Sequence, residues 1–264
     1  MQRLLANYFV FGKFEEGDCL EKIRREILPN LTRLKASQNF TAQEKSVLLK
    51  LAKKSRKRFA ITSHLPKNEA IKTLRSLVEK DVIVIEKTHE ERAENIPSRK
   101  PPRALRRHRV QDKFHFASNF LRFWFYFIEP NFNLSEEEIF AKIKFDFDNF
   151  CAGGFERACC HFLQLYLNLA EVSSFWDLKN EFDIYANEGG FCVVGEVKWR
   201  ARVVCKSVLS QLRFKCDQSG LLPEKLVLFS KNGFSQELLL EAKRRRDLLL
   251  FDADEVALLL KSSI

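Results

Sequence analysis

Two short apolar runs, EFDIYA and FCVVGEVKW, are joined by Asn187-Glu188-Gly189-Gly190. Glycines between two strand-like runs are a hairpin signal, because a tight hairpin turn needs left-handed backbone. The runs carry Glu181-x-Asp183 and Glu196-x-Lys198. On a strand, residues two apart point to the same face. Glu181 is therefore expected to share a face with Asp183, and Glu196 with Lys198. Paired as a hairpin, the runs bring three carboxylates and one amine to one side of a sheet. Ile184, Val193 and Val194 beside them suit a sheet set in a core. Like charges gathered this way need a counter-charge. Hard oxygen donors of this kind suit Mg²⁺ or Mn²⁺. A divalent ion can polarise a phosphodiester and lower the pKa of a bound water. The Lys198 amine can orient that water or offset charge on the phosphate.

The surroundings predict a mixed α/β domain. FERACCHFLQLYLNLA reads as a helix before the hairpin, and RVVCKSVLSQLRFKCDQSG as one after it, ending at Gly220. EKLVLFSKNGF reads as a buried strand, and SQELLLEAKRRRDLLLFDADEVALLL as a helix, a strand-like LLLF and a last helix. LSEEEIFAKI (134–143) is expected as a separate helix with Ser135 as its cap and an acidic first turn. The boundary of this domain is placed between 130 and 150, giving 131–264.

Residues 1–40 read as a helical segment and 41–130 as a winged helix-turn-helix. TAQEKSVLLKLAKKSRKR has Thr41 and Glu44 as a capping box. PKNEAIKTLRSLVEKD has apolar residues at helical spacing behind Pro66. DVIVIEK and VQDKFHF read as two strands around a basic segment with Pro101-Pro102. Helix, helix, strand, basic loop, strand is the winged-helix order. The aromatic ASNFLRFWFYFIEPNF reads as a buried helix. Cations fall where such a fold approaches nucleic-acid phosphates: Lys53, Lys54, Arg56, Lys57 and Arg58 at the end of the first helix, read over 41–58, Lys72 and Arg75 on the recognition helix, and Arg103, Arg106, Arg107 and Arg109 in the wing.

The 264-residue chain carries a formal charge of +10, which favours an anionic partner, with nucleic acid the default. Seven cysteines without a C-x-x-C pair speak against a disulfide framework and a zinc knuckle. Apolar runs fall short of the ~20 residues of a membrane span. A reduced, cytoplasmic setting without a membrane partner is the expectation. The five histidines show no ligand spacing, and no Ser-His-Asp arrangement is visible.

The E-x-D and E-x-K arrangement resembles the PD-(D/E)XK nuclease superfamily. The resemblance implies a restriction-endonuclease-like fold, with Mg²⁺ or Mn²⁺ held by Asp183, Glu196 and the Val197 main chain. It makes Lys198 the catalytic amine and Glu181 a further acid. A helix before the sheet often supplies a Glu, here Glu156, and a helix after it a polar residue, here Gln211. The usual proline before the first acid is replaced by Phe182. A narrower set of segments, FLRFWFYFIEPN, GGFE, EFDIYA, GEVKW and LVLFSKNGF, resembles the C-terminal half of archaeal-type ATPases that carry a DUF234 domain, over about residues 40–235. No G-x-x-x-x-G-K-[ST] occurs, so ATP binding and hydrolysis are not carried over. The implied activity is metal-dependent hydrolysis of duplex or branched DNA. Two alternatives stay open at this point: an inactive nuclease fold that binds DNA or regulates, and a module that docks on a separate ATPase.

Overall fold

The computed structural model describes residues 2–53, 56–89 and 110–263. Lys54 and the wing residues Arg103, Arg106, Arg107 and Arg109 lie outside the described residues. The architecture is α+β: N-terminal helices precede a mixed β-sheet flanked by helices on both faces.

The N-terminal part opens with α1 (Gln2–Phe11), α2 (Cys19–Lys22) and α3 (Leu31–Ala36), the last two linked by wide and tight helical turns. Then come α4 (Ala42–Ala52), α5 (Arg58–Thr62) and α6 (Lys67–Glu79). The predicted Thr41/Glu44 capping box is present on α4. The Glu44 carboxylate is buried and also accepts from Ser76 and Lys80, at 2.8 and 2.7 Å, which ties α4 to α6. The expected helix through 58 instead ends at Ala52, and Arg58 opens a separate short helix. β1 (Ile83–Glu86) and β2 (Lys113–Phe116) pair antiparallel, and Lys57 adds a single bridge to Lys113. α7 (Asn119–Phe123) continues into the aromatic stretch, whose Trp124, Phe125 and Phe127 are buried as expected.

The two helices expected at 134–143 and from about 150 are one helix, α8 (Glu136–Leu167). It starts on a Ser135/Glu138 capping box and ends at Asn168 in the left-handed region. Gly153 and Gly154 do not break it; the neighbouring helix turns supply the hydrogen bonds that hold the backbone.

The sheet comprises β3 (Ser173–Trp176), β4 (Glu181–Glu188), β5 (Phe191–Lys198), β6 (Lys225–Ser230) and β7 (Leu248–Asp252), in that spatial order. β3 with β4 and β4 with β5 pair antiparallel; β5 with β6 and β6 with β7 pair parallel. The parallel strands are linked through α9 (Lys206–Ser219) and α10 (Gln236–Arg244), and α11 (Ala253–Ser262) closes the described fold. The expected hairpin turn is Gly189-Gly190, both at positive φ. One face of the sheet packs on α8 and α11 in an apolar cluster that extends to α1 and α4; the other packs on α9 and α10. The N-terminal helices thus share a core with the sheet.

All seven cysteines are free, and five are buried. Among the described residues no helix is long and apolar enough to cross a membrane.

Candidate functional site

The site lies where β4 and β5 part. Their register runs from Glu188↔Phe191 to Ile184↔Gly195. Beyond that point the Asp183 side chain takes the place of a main-chain partner: its Oδ2 accepts from Val197 N–H at 2.9 Å. The pairing of β3 with β4 shows why. Ser173 faces Tyr185, but Phe175 faces Phe182, so β4 holds one extra residue there. Phe182 and Tyr185 consequently share the α9 face, while Ile184 and Ala186 share the α8 face. This bulge breaks strand alternation at Asp183.

The expectation that Glu181 and Asp183 share a face therefore does not hold. Glu181 reaches Lys113 Nζ at 2.6 Å and stands 3.5 Å from Arg56. Burial opposes ionisation of Glu181, but the Lys113 ammonium and Arg56 hold its carboxyl below the ordinary value. Asp183 behaves in the opposite way. Burial, with Glu196 and Glu156 close by, pushes its carboxyl up to about 7. Glu156, on α8, is likewise raised by burial.

Glu196 and Lys198 do share a face, as their spacing predicts. Lys198 Nζ donates to Glu196 Oε1 at 2.5 Å. The other oxygen, Oε2, accepts from Lys215 Nζ at 3.0 Å. Lys215 also donates to the Glu181 carbonyl at 3.0 Å. Lys215 was not singled out from the sequence, where it is one of several cations along α9. Its signal is its place one turn beyond Gln211. Gln211 is exposed, and it is Lys215 that meets the carboxylate.

The structure thus gathers Asp183, Glu196, Glu156, Lys198 and Lys215 and turns Glu181 toward Lys113. Arg56, expected on DNA, stands 3.6 Å from Glu156 and 3.5 Å from Glu181. Lys53, Lys57, Arg58, Lys72 and Arg75 are exposed. Among the described residues no group of three or more His, Cys, Asp or Glu is placed to hold a metal ion.

A buried aspartate, a second acid and a lysine at the parting of two sheet strands define an acidic site in an α+β protein. The model of the DUF234 family, archaea bacterial proteins of unknown function, matches residues 124–209. That stretch carries Glu156, Glu181, Asp183, Glu196 and Lys198, and stops before Lys215. No curated protein and no solved structure matches the chain.

Proposed function

We propose that the chain is a divalent-metal-dependent nuclease of restriction-endonuclease-like fold, acting on DNA. The observation that carries this reading is Asp183: a buried carboxyl set at the strand parting, with Glu196 and Glu156 close by. A bound hard cation offsets both the burial and the neighbouring carboxylates that oppose its ionisation. Asp183 and Glu196 supply the one or two carboxylates that Mg²⁺ or Mn²⁺ takes beside water and phosphate oxygens, and the Val197 carbonyl is the proposed third donor. The ion, when bound, supplies an acidified water and charge neutralisation. Lys198 then faces the phosphate and holds the attacking water or the developing charge. Glu156 supports the site as an acid, and Lys215 positions Glu196. Gln211 is one turn from this cluster and acts, in this reading, on the substrate side.

In the same reading α4, α5, α6, β1 and β2 form a winged helix. The Lys57–Lys113 bridge supports this, because it gives the hairpin a short third strand. Lys53, Lys57, Arg58, Lys72 and Arg75 then meet the DNA backbone, with affinity that falls steeply with salt. A separate ATPase is the proposed protein partner, to be sought by co-purification.

A second reading is favoured by a specific observation. Both Glu196 oxygens are held by ammonium groups. A nuclease fold kept as a scaffold would look this way. Plasmid and branched-DNA cleavage with Mg²⁺ or Mn²⁺ decides between them. The nuclease reading expects cleavage that is lost in Glu196→Ala and Lys198→Ala; absence of cleavage with salt-sensitive DNA binding intact in all three proteins selects the scaffold.

A further inference from the structure

A second polar pocket adjoins the acidic site and has the opposite character. It has a volume of about 420 Å³ and opens between the end of α4, strand β2 and helix α8. Its wall includes four cations, Lys53, Arg56, Arg122 and Arg157, against two carboxylates, Glu156 and Glu181. Glu181 is already held by Lys113 at 2.6 Å. His115 also lines the pocket, and burial lowers its pKa, so it adds no positive charge at neutral pH.

Arg122 is the telling residue. Its guanidinium lies over the Phe150 ring, with Cζ 3.9 Å from the centroid. Nη1 donates to the Phe150 carbonyl at 3.0 Å. Nε and Nη2 are cut off from solvent and have no hydrogen-bond partner among the described residues. Arg157, beside it, gives its donors to neutral acceptors, the Phe116 carbonyl at 2.6 Å and Asn119 Oδ1 at 2.8 Å. Among the described residues, two enclosed guanidiniums thus lack a bonded carboxylate. A buried charge without a partner is costly, more so than an unmade neutral hydrogen bond. The chain also makes room for this group. A Cβ at Gly153 would come 3.2 Å from Arg122 Nη1, and one at Gly154 2.8 Å from Nη2 and 2.7 Å from the Phe9 ring. Two glycines inside a helix each cost about 1 kcal/mol against alanine, so their presence here seats the guanidinium.

An anion in the pocket would answer the excess of cations along its wall. Guanidinium forks match phosphate oxygens, and a phosphate monoester carries up to two negative charges. We propose that this pocket binds a phosphate monoester, with Arg122 at its base and Arg56 and Lys53 at its rim. Either the terminal phosphate of a nucleic-acid strand or a free nucleotide supplies that chemistry. The strand-end source rests on the nuclease reading, because Glu156 is common to both sites; the phosphate pocket itself does not.

The test measures binding in EDTA, on the full chain and on its Glu196→Ala variant, so that loss of metal chemistry leaves it untouched. Inorganic phosphate is titrated first, by calorimetry. A 5′-phosphorylated oligonucleotide, its 5′-hydroxyl counterpart and a nucleoside monophosphate follow. Saturable phosphate binding is expected, weakened about ten-fold or more in Arg122→Lys, which keeps the charge but loses the fork. Arg56→Ala, at the rim, tests the same site where the Arg122 variant fails to fold, and weakens binding by a similar factor. Preference for the 5′-phosphate strand over both the hydroxyl strand and the nucleotide supports a strand end; equal binding of the nucleotide supports the pocket with a free nucleotide as its source. No saturable phosphate binding, or affinity unchanged in both Arg122→Lys and Arg56→Ala, overturns the proposal.

Discussion

The acidic strand parting and the arginine pocket sit back to back, with Glu156 serving both. At the first, Asp183 is buried near other carboxylates and holds its proton to an unusually high pH. At the second, burial and the neighbouring Arg157 pull the Arg122 guanidinium down to about 9. Two enclosed carboxylates elsewhere are well bonded. Glu44 has Thr41, Ser76 and Lys80, and Glu86 has His115 and Ser174. Against these, the strand parting and the arginine pocket are two places where neutralisation is incomplete. One collects negative charge and the other positive, and each is suited to a ligand of opposite sign.

The contrast can be broken at several points. The largest expected effect is at Lys113, almost wholly buried beneath Glu181 and stacked on Trp176 at 3.9 Å. Lys113→Ala truncates a long buried side chain packed on Trp176 and should lower stability by roughly 3 kcal/mol in urea denaturation, mostly through the cavity it leaves, since Glu181 is half exposed and keeps Arg56 at 3.5 Å. Gly154→Ala comes next. Its new methyl would meet Phe9 at 2.7 Å and Arg122 at 2.8 Å, and overpacking should cost about 2 kcal/mol despite alanine's better helix propensity. A neutral or stabilising result would mean that Arg122 is not tightly seated.

Asp183→Asn probes the acidic side. In the folded chain Asp183 keeps its proton to higher pH than in the unfolded chain. Its contribution therefore favours folding in acid and is lost as pH rises through about 7. Asparagine imitates the protonated acid and can still accept from Val197. The variant should be more stable than the parent at pH 8, by roughly 1–2 kcal/mol, with the gain fading toward pH 4. Equal stability at both pH values would show that burial and the neighbouring carboxylates do not hold the Asp183 proton.

The smallest effect sharpens the comparison most. Glu156→Gln removes a carboxylate that faces both regions. It should lower the titration midpoint of Asp183, followed by carboxyl NMR, because Glu156 is among the causes of its rise. It should also raise phosphate affinity in the arginine pocket about three-fold, because Glu156 offsets its cations. A change on one side alone would separate the two regions.

Much of the fold was legible. Turn glycines, capping residues and apolar periodicity are local signals, and they marked the β4–β5 hairpin, the start of α8 and the end of α9. The alignment of Glu196 with Lys198 followed from strand period alone. The bulge at Asp183 was not legible, because a single extra residue leaves no mark in an apolar run. Nor was the continuity of α8, since two consecutive glycines weaken a helix signal and their packing on Arg122 and Phe9 is a contact between distant elements. Lys215, Arg122 and Arg157 owe their roles to contacts between distant elements. Arg56 carried a signal of charge but not of partner.

The most direct measurement is Mn²⁺ binding to the purified protein, by calorimetry and by the loss of the free-ion electron paramagnetic resonance signal. The account predicts saturable binding in the parent that is lost in Asp183→Asn and in Glu196→Ala, with Lys53→Ala unaffected. No saturable binding in the parent, or binding that survives in both carboxylate variants, contradicts a metal site at the parting of β4 and β5.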